Sequence, residues 1–174
     1  GAEGPFPYTA SAPLTGDANL ADNTLSGSFN AFESLWVNKA ACPVGSYLGS
    51  AASYIDGSGN GHIITSGGNT TLYTEVYDYN VNANTWSLLT NLPGQRRVHA
   101  SAIVDNYLYA IGGSDASSVY QSTNYRYDLV GAGGWTTMNP LTATIGWAKA
   151  VPYQNNYIYL AGGYDNTNVL DTVY

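Results

Sequence analysis

Positive charge is scarce in this sequence: five Lys and Arg stand against twelve Asp and Glu, a formal net charge of −7. A surface that tracks phosphates is built from rows of cations, so nucleic acid is not an expected partner. Cysteine is nearly absent as well. Cys42 alone cannot close a disulfide within the chain, and it reads as a small, half-buried thiol rather than a reactive one. No apolar run approaches the roughly 18 residues a membrane-crossing helix needs, so no transmembrane segment is expected. There is no initiator Met and no basic stretch followed by an apolar one, and the chain opens at Gly1. It reads as a mature or excised segment. Phosphate loop, nucleophile elbow and zinc motif are all missing. His62 and His99 have no carboxylate or second His at short ligand spacing and are expected to be structural. No metal, cofactor or catalytic residue is expected.

Tyrosine is abundant, at 16 of 174 residues, and 44% of the chain is hydrophobic, which suits aromatic strands joined by polar turns. Low Lys with rich Thr, Asn and Tyr suggests a secreted or cell-surface protein. One pattern recurs. His62-Ile-Ile-Thr-Ser-Gly-Gly68, Tyr107-Leu-Tyr-Ala-Ile-Gly-Gly113 and Tyr157-Ile-Tyr-Leu-Ala-Gly-Gly163 are short β-type runs ending on two glycines, spaced by 45 and then 50 residues. Periods of that size signal a repeat architecture.

Around the first diglycine, Ser50 to Ile55 and His62 to Ser66 read as a hairpin across Gly57 to Gly61, followed by strands at Thr74 to Tyr79 and Thr85 to Leu88. The second unit repeats the scheme with His99 to Val104, an Asp105-Asn106 turn, Tyr107 to Ile111, Asn124 to Asp128 and a strand opening at Trp135. The third has Ala148 to Tyr153, an Asn155-Asn156 turn and Tyr157 to Ala161, and runs out at Leu170 to Tyr174. The expected organisation is an extended arm over 1–25, a partial unit carrying Trp36 over 26–48, full units over 49–92 and 93–141, and an incomplete unit over 142–174.

Diglycine, then Tyr, then Trp nine or ten residues later resembles the kelch motif: Gly67-Gly68 with Tyr77 and Trp86, Gly112-Gly113 with Tyr125 and Trp135, and a truncated Gly162-Gly163 with Tyr174. Leu92-Pro-Gly-Gln-Arg-Arg-Val-His99 resembles the family's approach to a first strand. The resemblance implies an all-β propeller of four-stranded antiparallel blades, in which the Tyr and Trp side chains fill the space between blades. Propellers close with about four to eight blades, and about three are legible here. Either the chain is part of a longer propeller or two copies join, each completing the other's last blade with its Trp36 strand. The second unit's Arg97 has Gly146 as its counterpart in the third, a departure from the pattern.

By the same resemblance, ligands bind on the face made by the loops between strands two and three and between blades. On this sequence that face holds Arg96, Arg97, Asp115, Ser118, Trp147, Tyr164, Asp165 and Asn166. Arg beside aromatics and Asn suits a glycan or an acidic peptide; alternatively one of the two arginines braces carbonyls between blades. Asn69-Thr70-Thr71 is a formal glycosylation acceptor. The expected role is non-catalytic recognition of protein or carbohydrate, with self-association or continuation in a longer chain. The alternative is a sugar-acting kelch enzyme, an oxidase or mutarotase, of which this is a fragment.

Overall fold

The computed structural model describes residues 6–11, 24–29, 37–68, 74–131 and 133–174. Asn69, the possible glycosylation acceptor, and Trp36, the expected lone fourth strand, lie outside the described residues. The described residues contain twelve strands and no helix. Two compact units are present, 1–38 and 39–174. In the first, β1 (Phe6–Ser11) pairs antiparallel with β2 (Thr24–Phe29), a ladder that the Pro- and Gly-rich sequence of 1–25 did not announce.

The second unit holds the repeats. β3 (Ser50–Ile55), β4 (Gly61–Ser66), β5 (Glu75–Asn80) and β6 (Thr85–Asn91) form one antiparallel sheet in sequence order, and β7 (Ala100–Val104), β8 (Tyr107–Ile111), β9 (Asn124–Asp128) and β10 (Trp135–Met138) form the next. β11 (Lys149–Tyr153) and β12 (Tyr157–Ala161) make a hairpin. Val173 bridges Ala161 as the start of a third strand, where the sequence pattern runs out. The two four-stranded sheets have the antiparallel order of kelch-type blades, and among the described residues the sheets do not close into a ring.

Turn chemistry sets the hairpins. Asp105 and Asn106 both take positive φ (49° and 63°), the two-residue geometry whose twist matches that of the strands. The third hairpin turns one residue earlier than its Asn-Asn pair suggests, at Gln154 and Asn155 (50° and 52°). In the first, Asp56 Oδ1 accepts from the backbone N–H groups of Ser58 and Asn60, both at 2.8 Å.

Alternation along the strands gives each blade two apolar faces, and stacking buries them pairwise. Ile64 and Val76 of the first blade meet Leu108 and Ala110 of the second, flanked by Tyr125, Tyr127 and Trp135. On its other face the second blade meets the third through Ala100, Ile111, Ala148 and Leu160. The innermost strands β3, β7 and β11 lie side by side. A backbone relay joins them: Val98 N–H donates to Leu48 O and Trp147 N–H to Val98 O, each at 2.8 Å. All three relay residues have positive φ (62°, 50° and 64°) although none is glycine. Strain at three repeat-equivalent positions is sustained by the packing around it.

Two histidines, His62 half-buried and His99 buried, give this unit a stability optimum. The imidazole of His62 stacks on Tyr54 at 4.8 Å and lies 2.9 Å from Asp78 and 3.4 Å from Asp56. Burial opposes its charge, but the hydrogen bonds and charges of Asp78 and Asp56 outweigh it and raise its pKa. His99 has its pKa lowered to about 4 by burial and then by the Arg96 charge. The signs oppose. The raised His62 contributes stability below the unfolded value near 6.5 and loses it as pH rises through the folded pKa. His99 stays neutral while the unfolded chain takes up its proton between about pH 6.5 and 4, so stability falls by about 3 kcal/mol over that acid range. Chemical denaturation across pH 4–9 should therefore peak near 6.5. His62→Gln should flatten the alkaline side and leave the acid side intact.

Candidate functional site

The rim of the unit, where the loops after β8 and β12 meet the segments entering β7 and β11, is assembled by backbone bridges. Arg97 pairs with Ser114, Ser114 with Tyr120, Gly146 with Tyr164 and Tyr164 with Val169. These bridges bring together most of the residues singled out for the ligand face.

Arg97 is half-buried and spans the rim, its Nε donating to Ser114 Oγ at 3.0 Å and its Nη2 to Ser118 Oγ. Ser118 itself sits at positive φ. Trp147 is 51% exposed, yet it is fixed from two directions. Its backbone is in the relay, and its Nε1–H donates to Tyr120 OH at 2.9 Å. Tyr120 in turn meets the Tyr164 ring edge-on at 5.8 Å. A Cβ on Gly146 would lie 2.4 Å from Cε1 of Tyr120. That contact explains why the third repeat has no arginine in the place of Arg97: the space is given to the tyrosine that holds Trp147.

Other expected face residues do different work. Arg96 is buried and turned inward, so it is not part of an exposed ligand face. Its guanidinium donates to Gln95 O at 2.8 Å, Thr123 Oγ1 at 2.8 Å and Tyr125 OH at 3.2 Å, with Cζ 5.4 Å from the Tyr125 ring. The only backbone carbonyl among these acceptors is that of the adjacent Gln95; the other two are side-chain oxygens of the second blade. Asp115 accepts from Ser117 N–H, Val119 N–H and Gln121 Nε2, and Asp165 from Thr167 N–H and Asn168 N–H. These carboxylates hold their loops in shape; the backbone donors lower the Asp165 pKa. Asn166 is exposed at φ 84° beside that turn.

Beneath the rim is a cleft of about 290 Å³ lined by the repeat-equivalent openings of the three inner strands, Leu48 to Ala51, Val98 to Ser101 and Trp147 to Ala150. It lies along the innermost strands of the three repeats, which sit side by side. Lys149 contributes a cation here that sequence reasoning overlooked, because only its repeat position reveals where it lies. His99 also lines the cleft, with Nε2 2.8 Å from Ser66 Oγ and Nδ1 buried without a partner among the described residues. Ser66 is itself only 3% exposed, so this Ser–His pair offers no accessible nucleophile. Tyr120 was missed too; nothing local in the sequence distinguishes it from the chain's other tyrosines.

The motif residues fall where the repeat logic places them. The first N–H of each diglycine donates to the third strand or its counterpart: Gly67 to Glu75 O, Gly112 to Thr123 O and Gly162 to Thr172 O. Tyr77, Tyr125 and Tyr174 each follow two residues later. Trp135 packs at the interface of the first two blades. Trp86 lies on the outer side of the first, with its Nε1–H donating to Ala40 O at 2.8 Å.

Residues 96–142 match the family model described as the kelch motif. No curated protein matches the chain. The matched segment runs from Arg96 through the second blade to its fourth strand. The blade before it repeats its diglycine, Tyr and Trp in the same strand positions, so the kelch motif matched over 96–142 supports a kelch-type repeat in this chain.

Proposed function

We propose that this chain is a non-catalytic recognition module of a secreted or cell-surface propeller, which binds a glycan at the channel rim. The observation that carries this reading is Trp147, a large apolar side chain half in water whose backbone and indole N–H are both already fixed. A rigid aromatic face loses little entropy when a sugar's C–H surface stacks on it. Arg97, Ser118 and Lys149 supply polar groups around it. The secreted setting is supported by composition, with five Lys and Arg in 174 residues and abundant Tyr.

Assembly is the other half of the proposal. The outer face of the first blade exposes Ile55 and Ile63, and the far face of the third exposes Val151, Tyr153, Tyr157 and Tyr159. The same strand positions are covered wherever two blades stack within the chain. Further blades, from a second copy or a longer chain, would cover them.

Titration of the chain with soluble oligosaccharides, followed by tryptophan fluorescence, tests the glycan site. Trp147→Ala should weaken binding at least about tenfold, the loss of one stacking anchor, while changing stability by less than about 1 kcal/mol because the side chain packs no core. Binding that survives Trp147→Ala would reject the site. Binding of acidic peptides alone would transfer it to protein recognition.

A further inference from the structure

The repeats can be laid on one another residue by residue through their hydrogen bonds. Glu75, Thr123 and Thr172 each accept from the first diglycine N–H. Leu48, Val98 and Trp147 each occupy the relay position, so Ser46, Arg96 and Ile145, two residues earlier in each case, correspond. In the second blade this correspondence describes a filled site: the Arg96 guanidinium sits on the Tyr125 ring and donates to Thr123 and Tyr125.

The first blade has the same site without its arginine. Ser46 stands in that place, and its hydroxyl donates to Gly67 O at 3.0 Å. The space left is a cavity of about 310 Å³ lined by Ser46, Tyr47, Thr65, Glu75 and Tyr77 with the Cys42–Val44 side of the approach. Tyr77 occupies the position of the ring that Arg96 stacks on. Glu75 replaces the Thr123 acceptor with a carboxylate, and its Oε2 is buried without a partner among the described residues. A buried carboxylate oxygen lacking a donor is costly, and a cation with N–H donors relieves it. Two changes that would each be unfavourable alone, removal of the arginine and addition of a negative charge, agree if the positive charge arrives from outside.

We propose that this cavity is a binding site for a guanidinium cation, held by the Glu75 carboxylate and the face of Tyr77 as Arg96 is held by Thr123 and Tyr125. The planar fork of a guanidinium matches a carboxylate in two bonds and stacks on an aromatic ring, which an ammonium does less well. The cavity borders the cleft beneath the rim through Leu48 to Ala51, but Glu75 and Tyr77 are not among that cleft's lining residues, and the proposal does not depend on the glycan reading.

Calorimetric titration of the full chain at low salt with agmatine, with butylamine, and with a short peptide carrying one arginine is the test. Agmatine should bind in preference to butylamine, and Glu75→Gln should weaken it at least about tenfold, as expected for loss of a charge-assisted pair. Peptide binding much tighter than agmatine would identify a protein side chain as the natural source, and equal binding a small molecule. Ser46→Arg supplies a second arm that does not require removing Glu75: it should raise the melting temperature and abolish agmatine binding by filling the cavity from within. No binding of agmatine by the unaltered chain at millimolar concentration, or binding that Ser46→Arg leaves intact, overturns the proposal.

Discussion

Gly112→Ala is expected to destabilise the chain by about 2–5 kcal/mol, whereas Gly162→Ala, the same change at the equivalent place in the next repeat, should cost only about 1–2 kcal/mol. The two glycines share their backbone conformation, at φ 60° and 64°. An L-residue pays about 1–2 kcal/mol for that left-handed geometry wherever it occurs. The difference comes from the neighbouring blade. A Cβ on Gly112 would lie 2.4 Å from the carbonyl oxygen of Ile145 and 2.8 Å from its Cγ2. That carbonyl cannot retreat freely, because it accepts the Gly113 N–H at 2.7 Å and Ile145 is buried in the core between the second and third blades. Overpacking adds about 1–3 kcal/mol. At Gly162 the nearest atom to a new Cβ is Leu170 O at 3.6 Å, an ordinary contact. Urea denaturation of the two variants separates the terms. Equal costs would mean that the second and third blades do not dock through the diglycine.

The blades themselves were legible because their determinants are local. Period-2 alternation, Asp-Asn turns and paired glycines each act within a few residues, so the strands from β3 to β12 could be placed from sequence to within a residue or two, except that β6 runs to Asn91, three residues past the expected Leu88. The rim was legible only in outline. Repeat position brought Arg97, Ser118, Trp147 and Tyr164 to one face, but it could not separate Arg96 from Arg97, adjacent residues of the same type. One side chain turns inward to Thr123 and Tyr125, and the other runs outward to Ser114 and Ser118. Successive side chains of an extended segment point to opposite sides, but which of the two faces the second blade is information carried by tertiary packing. Asp115 and Asp165 were singled out for ligands for a similar reason. A short acidic side chain in a loop looks the same in sequence whether it serves a ligand or its own backbone. The site at Glu75 was invisible locally, since it consists of a difference between repeats: an arginine exchanged for Ser46 and a threonine for Glu75, 29 residues apart in the chain.

Trp135→Ala should be the most damaging change to the interface between the first two blades, at about 3–5 kcal/mol. The indole lies opposite Tyr127 in the β9–β10 ladder, with ring centroids 5.3 Å apart, and meets Tyr125 edge-on at 6.4 Å. Together the three rings cover the cluster of Ile64, Val76, Leu92, Leu108 and Ala110. Removing the largest of them opens a cavity beside two tyrosines whose positions are tied to Arg96 on one side and the sheet on the other, so the gap cannot collapse. Its Nε1–H is buried without a partner among the described residues, which makes Trp135→Phe informative. Phenylalanine keeps most of the ring area and removes the unpaired donor, and its cost should stay below about 1.5 kcal/mol. Trp86→Ala should cost less than Trp135→Ala, because Trp86 packs on Tyr79 at 4.9 Å and bonds to Ala40 O on the outer side of the first blade, away from the interface core. Denaturant melts of the three variants give the ranking. If Trp86→Ala proved as costly as Trp135→Ala, the outer face of the first blade would have to be covered by a neighbour as extensive as the second blade is for the first, which would place another blade there in the protein in solution.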